Sequence, residues 1–233
     1  MRLDKFLSNA GVGSRSQVKI LIKKGQVCVN DVKARSGDDI IDENADVVMC
    51  QGKRISLEKY RYFMLNKPAG VVSATEDNLD KTVLDCLSKE DARDMFPVGR
   101  LDKDTTGLML LTNDGEFTNS IIHPSKHVSK TYEVVTKIKP SRAGLAELRK
   151  GIVLDGIKTI PAIVENPKII ENGFLTKITI FEGRNHQVKN MFSAIGCKVY
   201  DLKRIAIGKL ELGDLPKGKY KILTKKDLEK IFK

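Results

Sequence analysis

From Arg61 onward the apolar residues fall in many short runs, with helical stretches scattered among them and no regular alternation of strand and helix. Strands are expected at 62–65, 108–111, 132–135, 152–154, 162–164, 175–180, 199–202 and 205–207, because these runs are short and bounded by turn-forming residues. Helices are expected at 82–87, 115–122, 142–150, 187–195 and 226–232, the last capped by Thr224 with Asp227 three residues on. Strands that outnumber helices and do not alternate with them exclude a doubly wound parallel sheet. They predict an α+β domain built on a mostly antiparallel, mixed sheet over residues 61–233.

The first 56 residues have a different pattern. Leu3, Phe6 and Leu7 form a short amphipathic segment that Gly11 and Gly13 end. Ser14 then stands three residues before Gln17, the spacing of a capping box, and Val18, Leu21 and Ile22 supply the apolar stripe of a second helix that stops at Gly25. Arg15, Lys19 and Lys23 recur at i, i+4 and i+8, so they share one side of that helix and could track phosphates. A strand at 27–29, a tight turn at Asn30-Asp31 and a strand at 46–49 complete a two-helix module with a small hairpin-like sheet. Residues 52–60 are polar enough for a linker, which we place at 57–60.

Lysine and arginine total 41 against 30 acidic residues, a net charge of +11, so a polyanion is the natural partner. At 41% hydrophobic and 30% charged the chain is too apolar for a disordered protein. The four cysteines are far apart, with no CxxC pair and no secreted-type framework, and the N-terminus turns polar within a few residues. A cytoplasmic protein with reduced cysteines is the expectation.

The chemistry points to Gly99-Arg100-Leu101-Asp102-Lys103-Asp104-Thr105-Thr106-Gly107, followed by the apolar run Leu108-Met109-Leu110-Leu111. Gly99 and Gly107 allow tight turns or close backbone approach, and the run behind them reads as a buried strand that fixes Asp102 on a rigid mount. Two other chemistries share part of this run. Asp-x-Asp-x-Thr opens a haloacid-dehalogenase-type phosphohydrolase site, but that class wants a buried apolar strand immediately before the first acid, where Gly99-Arg100 stand. A calcium loop starting at Asp102 would need a bidentate glutamate where Asn113 is found.

The run from Gly99 to Leu108 resembles the signature of the pseudouridine synthases that modify ribosomal RNA. Three further stretches match in order: Arg61-Tyr62-Phe63-Met64-Leu65-Asn66-Lys67-Pro68-Ala69-Gly70, Lys130-Thr131-Tyr132, and Glu182-Gly183-Arg184-Asn185-His186-Gln187-Val188-Lys189. The first 56 residues resemble the S4-type RNA-binding domain. Within the family the small-subunit branch, acting on uridine 516 of 16S rRNA, fits best through residues 62–68 and Asp104-Thr105-Thr106 and through the lack of a long basic C-terminal extension. Large-subunit (23S) enzymes share the catalytic run, and a non-catalytic rRNA-binding or assembly factor with the same fold is the competing class.

The resemblance implies an isomerase that everts a uridine and moves its glycosidic bond from N1 to C5. That change is redox-neutral, so no cofactor is expected. No metal is expected either, since His123 and His127 have Pro124 between them and no evident third ligand. Asp102 is implied as the catalytic carboxylate, acting either as nucleophile at the sugar or as base at C2′. Tyr132 is implied as the platform for the base, and Arg100 as the side chain that enters the vacated space or holds a phosphate. Lys189 is our candidate for the cation that keeps Asp102 charged: Val188, Met191 and Phe192 form one face of its helix, while His186 and Lys189 share another. Apolar walls such as Leu101 and Met109 are expected to exclude water. RNA contacts are expected from Arg100, Leu101, Arg184, His186 and Gln187, and from Arg15, Lys19 and Lys23 on the front module. The partner is ribosomal RNA, 16S by preference, possible also within an assembling subunit, and a monomer is the simplest state.

Overall fold

A computed structural model describes residues 1–43, 45–56 and 60–233. The chain divides into two compact units, Met1–Lys59 and Tyr60–Lys233, each with its own core. Residues 57–59 of the expected linker lie outside the described residues.

In the first unit, α1 (Leu3–Asn9) and α2 (Arg15–Lys23) precede four short strands, β1 (Val27–Val29), β2 (Val32–Lys33), β3 (Val48–Cys50) and β4 (Lys53–Ile55), in the antiparallel order β2-β1-β3-β4. The capping box forms: Gln17 N–H donates to Ser14 Oγ at 3.3 Å, and Ser14 N–H donates to Gln17 Oε1 at 2.8 Å. Leu3, Phe6, Leu7, Val18, Ile22, Val27 and Val48 make the core. The turn between β1 and β2 has both Asn30 and Asp31 at positive φ, as a two-residue hairpin turn requires. The third strand starts two residues later than expected. Residues 53–55, polar and given no strand in the expectation, form the edge strand β4, where only one face of the ladder needs to be apolar.

The second unit is a ten-stranded mixed sheet with helices on it. Its elements in chain order are β5 (Tyr62–Lys67), β6 (Phe96–Pro97), β7 (Thr106–Thr112), α3 (Gly115–Ile122), β8 (Lys130–Thr136), α4 (Arg142–Lys150), β9 (Val153–Leu154), β10 (Ile157–Lys158), β11 (Ile163–Val164), β12 (Lys168–Ile170), β13 (Gly173–Ile180), α5 (Gln187–Ala194), β14 (Val199–Ile207), β15 (Leu210–Glu211), β16 (Tyr220–Ile222) and α6 (Lys225–Ile231). The main strand order is β11-β13-β8-β14-β7-β5-β16, and β9 and β10 form a separate hairpin. Among the described residues, the ladders are antiparallel except β14 with β7. The expected α+β, mostly antiparallel architecture is the one found.

Strands β5 and β7 are covered on both faces. Phe63, Leu65, Met109 and Leu111 pack into one cluster with Leu145 and Leu148 of α4 and with Val188, Met191 and Phe192 of α5. Met64, Leu108 and Leu110 pack on the other side with Ile121 of α3 and Ile231 of α6. Two-sided burial is why 108–111 is an unbroken apolar run. The helix expected at 82–87 is one short 3₁₀ turn, Val83–Cys86, capped by Thr82. The two strands expected at 199–202 and 205–207 are one, β14, whose register shifts past Arg204. Among the described residues, no helix is long and apolar enough to cross a membrane.

Candidate active site

The loop that carries Asp102 leads straight into β7, and its backbone is held from beneath. Gly107, at the loop's end, has φ +101°, and a Cβ there would lie 2.1 Å from the carbonyl oxygen of Arg204. The residue must therefore be glycine if β7 and β14 are to pair so closely. Leu101 N–H donates to Ser73 Oγ at 3.0 Å, and that hydroxyl donates back to Leu101 O at 2.8 Å.

Lys67, the last residue of β5, is fully buried. Its Nζ donates to the carbonyls of Thr105 (2.9 Å), Asp102 (3.1 Å), Pro68 (3.1 Å) and Lys103 (3.2 Å). Burial pushes this amine down to about 8, against the pull of Asp104 and Asp102. With three loop carbonyls tied to one ammonium, the loop has a fixed shape.

Helix α5 brings the cation. Val188, Met191 and Phe192 anchor it in the core, which leaves Lys189 facing the loop. Lys189 Nζ lies 2.9 Å from Asp102 Oδ2 and 2.6 Å from Asp104 Oδ1. Burial works against this ammonium, but hydrogen bonds to Asp104 and Asp102 outweigh it and hold its pKa above the usual value. The Lys189 hydrogen bond in turn holds the Asp104 carboxyl below its usual range. His186, in a left-handed conformation at the helix start, places Nε2 3.4 Å from Asp102 Oδ1.

Asp102 opens on a cleft of about 630 Å³, whose lining includes Arg100, Leu101, Lys130, Tyr132, His186 and Arg204. Tyr132 is 8% exposed, belongs to the core cluster and lines the cleft. Arg100 is exposed at the same cleft, and Leu101 is buried in its wall. Met109, expected as a wall, does not line the cleft; it is fully buried in the core, and the strand residues Thr106–Thr112 that carry it stop short of the cleft lining.

Arg184 and Gln187, expected as RNA contacts, line the cleft and also bond within the protein. Arg184 donates to Glu182 and to the carbonyls of Ile157 (3.0 Å) and Lys158 (2.8 Å). Gln187 is buried, donating to Glu182 Oε1 at 2.8 Å and accepting from Arg184 N–H at 2.9 Å. Together with Glu182 they fix the entry to α5, and so the position of Lys189. Sequence reasoning missed Ser73 and Arg204, and it gave no role to Lys67 and Lys130, although both stand in stretches that match the family. A lysine ending a strand reads as surface, and only the burial of the adjacent residues 62–65 hinted otherwise. In the first unit, Arg15, Lys19 and Lys23 are all exposed along α2.

Residues 61–194 match the family described as RNA pseudouridylate synthase, and residues 1–47 match the S4 domain. An uncharacterized RNA pseudouridine synthase of Bacillus subtilis is 42% identical, over 98% of this chain and 97% of its own. A ribosomal small subunit pseudouridine synthase A of Vibrio cholerae is 41% identical over the whole of both chains. A ribosomal large subunit pseudouridine synthase B of Bacillus subtilis is 38% identical, over 99% of this chain and 95% of its own. Among solved structures, a crystal structure of a pseudouridylate synthase aligns over 99% of both chains with a TM-score of 0.68 and 36% identity. With an S4 domain in front of a catalytic domain that carries a lysine-paired aspartate, this chain belongs to the RNA pseudouridylate synthase family.

Proposed function

We propose that this protein converts a uridine of ribosomal RNA to pseudouridine, with Asp102 as the carboxylate that acts on the sugar and uridine 516 of 16S rRNA as its target. The observation that carries the reading is the Asp102 carboxylate, 2.9 Å from Lys189 at the lip of a cleft that Tyr132 lines. The relatives named for ribosomal subunits support ribosomal RNA as the substrate, and the Vibrio cholerae relative supports the small subunit. The large-subunit relative at 38% identity makes 23S rRNA the second reading. Such an enzyme works in the cytoplasm, where ribosomal RNA is assembled.

In this reading the target base leaves its stack, which costs a few kcal/mol. Arg100, exposed beside the cleft, enters the vacated space or holds a flanking phosphate. The base stacks on Tyr132, an interaction of about 1–3 kcal/mol. Asp102 then attacks C1′ or takes the 2′ proton, with the Lys189 ammonium 2.9 Å from its Oδ2. Leu101 shields the intermediate from water.

The test is to incubate purified protein with 16S and 23S transcripts and to map every new pseudouridine. A single modified site at uridine 516 is expected, and a site in 23S rRNA would shift the assignment to the second reading. Asp102→Asn should abolish the modification and leave RNA affinity within a few fold. Normal turnover by that variant would show that Asp102 is not the catalytic carboxylate, and binding with no modification by the wild type would favour a non-catalytic factor.

A further inference from the structure

Two of the residues lining the cleft, Arg204 and Lys130, are cations with no acidic partner among the described residues. Arg204 is 3% exposed, and its guanidinium donates to Leu108 O at 2.8 Å and approaches Met109 Sδ at 3.9 Å. Lys130 donates to Val128 O at 2.9 Å. Among the described residues, neither has a carboxylate in ion-pair contact. Uncompensated cations away from water are costly, and two together repel.

Their place in the sheet says what they face. Arg204 of β14 pairs on one side with Tyr132 of β8 and on the other with Gly107, the end of the Asp102 loop. Lys130 lies two residues before Tyr132 on the same face of β8. The two cations therefore lie beside the space between the sugar-reactive carboxylate and the aromatic platform, where the uracil ring would lie.

We propose that Arg204 and Lys130 form an electrostatic floor that receives the negative charge of the uracil base when its bond to C1′ breaks. This inference rests on the uridine-to-pseudouridine reading above. In that reaction the C1′–N1 electron pair stays on the base and spreads over the ring and its O2 and O4 oxygens. The ring turns, C5 bonds to C1′, the C5 proton is lost and N1 gains one, so no external reactant is needed. Fixed positive charge at the position where the anion forms lowers the barrier without any reorganisation. A planar guanidinium suits a delocalised planar anion. A phosphate fits this floor less well, since Val98, Ile121, Leu202 and Ile207 line the same cleft and offer little to a strongly hydrated group. Burial, and next the charge of Arg204, bring the Lys130 amine down to about 8, which leaves it mostly protonated at neutral pH.

The test rests on Lys130→Met, because Arg204 sits in a central strand, with Lys130→Arg as the charge-retaining control. Single-turnover cleavage of the glycosidic bond is measured on a transcript that the wild type modifies, and on the same transcript carrying 5-fluorouridine, whose fluorine stabilises the base anion by itself. Lys130→Met is expected to slow the uridine reaction about 100-fold and the 5-fluorouridine reaction less than about 10-fold, while Lys130→Arg stays within about 5-fold. The midpoint of thermal unfolding should be unchanged or higher, since an uncompensated charge has been removed. Equal deficits on the two substrates would overturn the proposal, as would a loss that appears in RNA affinity with a shallower salt dependence, which marks a phosphate site. A wild-type protein that forms no pseudouridine in either rRNA fails the underlying reading, an outcome separable from equal deficits in the variant.

Discussion

The buried ammonium of Lys67 donates to the main-chain carbonyl of Asp102 at 3.1 Å, and Asp102 also lines the cleft. The loop is thus held through its backbone. Lys67→Met leaves several inward carbonyls without their donor at about 1–3 kcal/mol for each unsatisfied group, partly offset by removal of a buried charge. The expected result is a loss of about 2–3 kcal/mol in urea unfolding and a fall in kcat of about 100-fold, with RNA affinity little changed.

The same lysine makes stability depend on pH in a defined direction. Its pKa drops from 10.5 to about 8 in the folded protein. Between those values the unfolded chain holds more protons than the native one, so the Lys67 contribution to unfolding free energy rises with pH through that window and is constant below it. Subtracting the pH profile of Lys67→Met from that of the wild type should show this rise, and a flat difference between pH 8 and 10 would contradict it.

Lys189 is held by two carboxylates, so it should behave oppositely. Its pKa is raised, and its stabilising contribution is present below 10.5 and lost only as pH climbs past the folded value. The pKa of Asp104 is lowered from 3.8, so its part is present above that value and lost as pH falls through the folded one. The stability difference between wild type and Lys189→Met should be level from about pH 5 to 10. At pH 7 the same substitution should reduce kcat/KM by about 10–100-fold, and Lys189→Arg should restore most of it.

Gly107→Ala is expected to be among the most damaging single-methyl changes in the chain. A Cβ at that position would sit 2.1 Å from the backbone oxygen of Arg204, at a φ that L-residues rarely adopt. Separating β7 from β14 should cost at least about 3 kcal/mol, read by denaturant unfolding. The equivalent change at Gly115, where nothing lies within 4 Å, should cost no more than about 0.5 kcal/mol.

Replacing Arg15, Lys19 and Lys23 together by glutamine should leave stability nearly unchanged, because all three are exposed. If each meets a phosphate, the plot of log affinity against log salt should become shallower by about 2. An unchanged slope would mean that this face of α2 stays in water.

What was legible in the sequence is what adjacent residues decide among themselves. The capping boxes at Ser14 and Thr224, the apolar stripe of α2, the run of β7 and the common side of His186 and Lys189 all depend on spacings of a few residues, and all are present in the folded chain. The bringing together of Asp102 and Lys189, 87 positions apart, was readable only through resemblance, since no local rule pairs such distant residues. Strand β16 escaped detection because, among the described residues, it pairs with β5, more than 150 residues earlier, and its short polar-apolar mix has no period of its own. Strand β14 looked like two because Lys203 and Arg204 interrupt its apolar pattern, although a central position buries Arg204.

The sequence by itself determined the local elements, the basic balance and the acid that stands on a glycine-bracketed loop. Only the tertiary structure decided that Lys67 clamps that loop, that Gln187 and Arg184 hold α5 in place, and that Lys130 and Arg204 line the cleft with no carboxylate beside them among the described residues. The physical reason is that a charged side chain carries no local sign of its burial. Whether it meets water, a carbonyl or another cation is set by which distant strands the sheet brings alongside it.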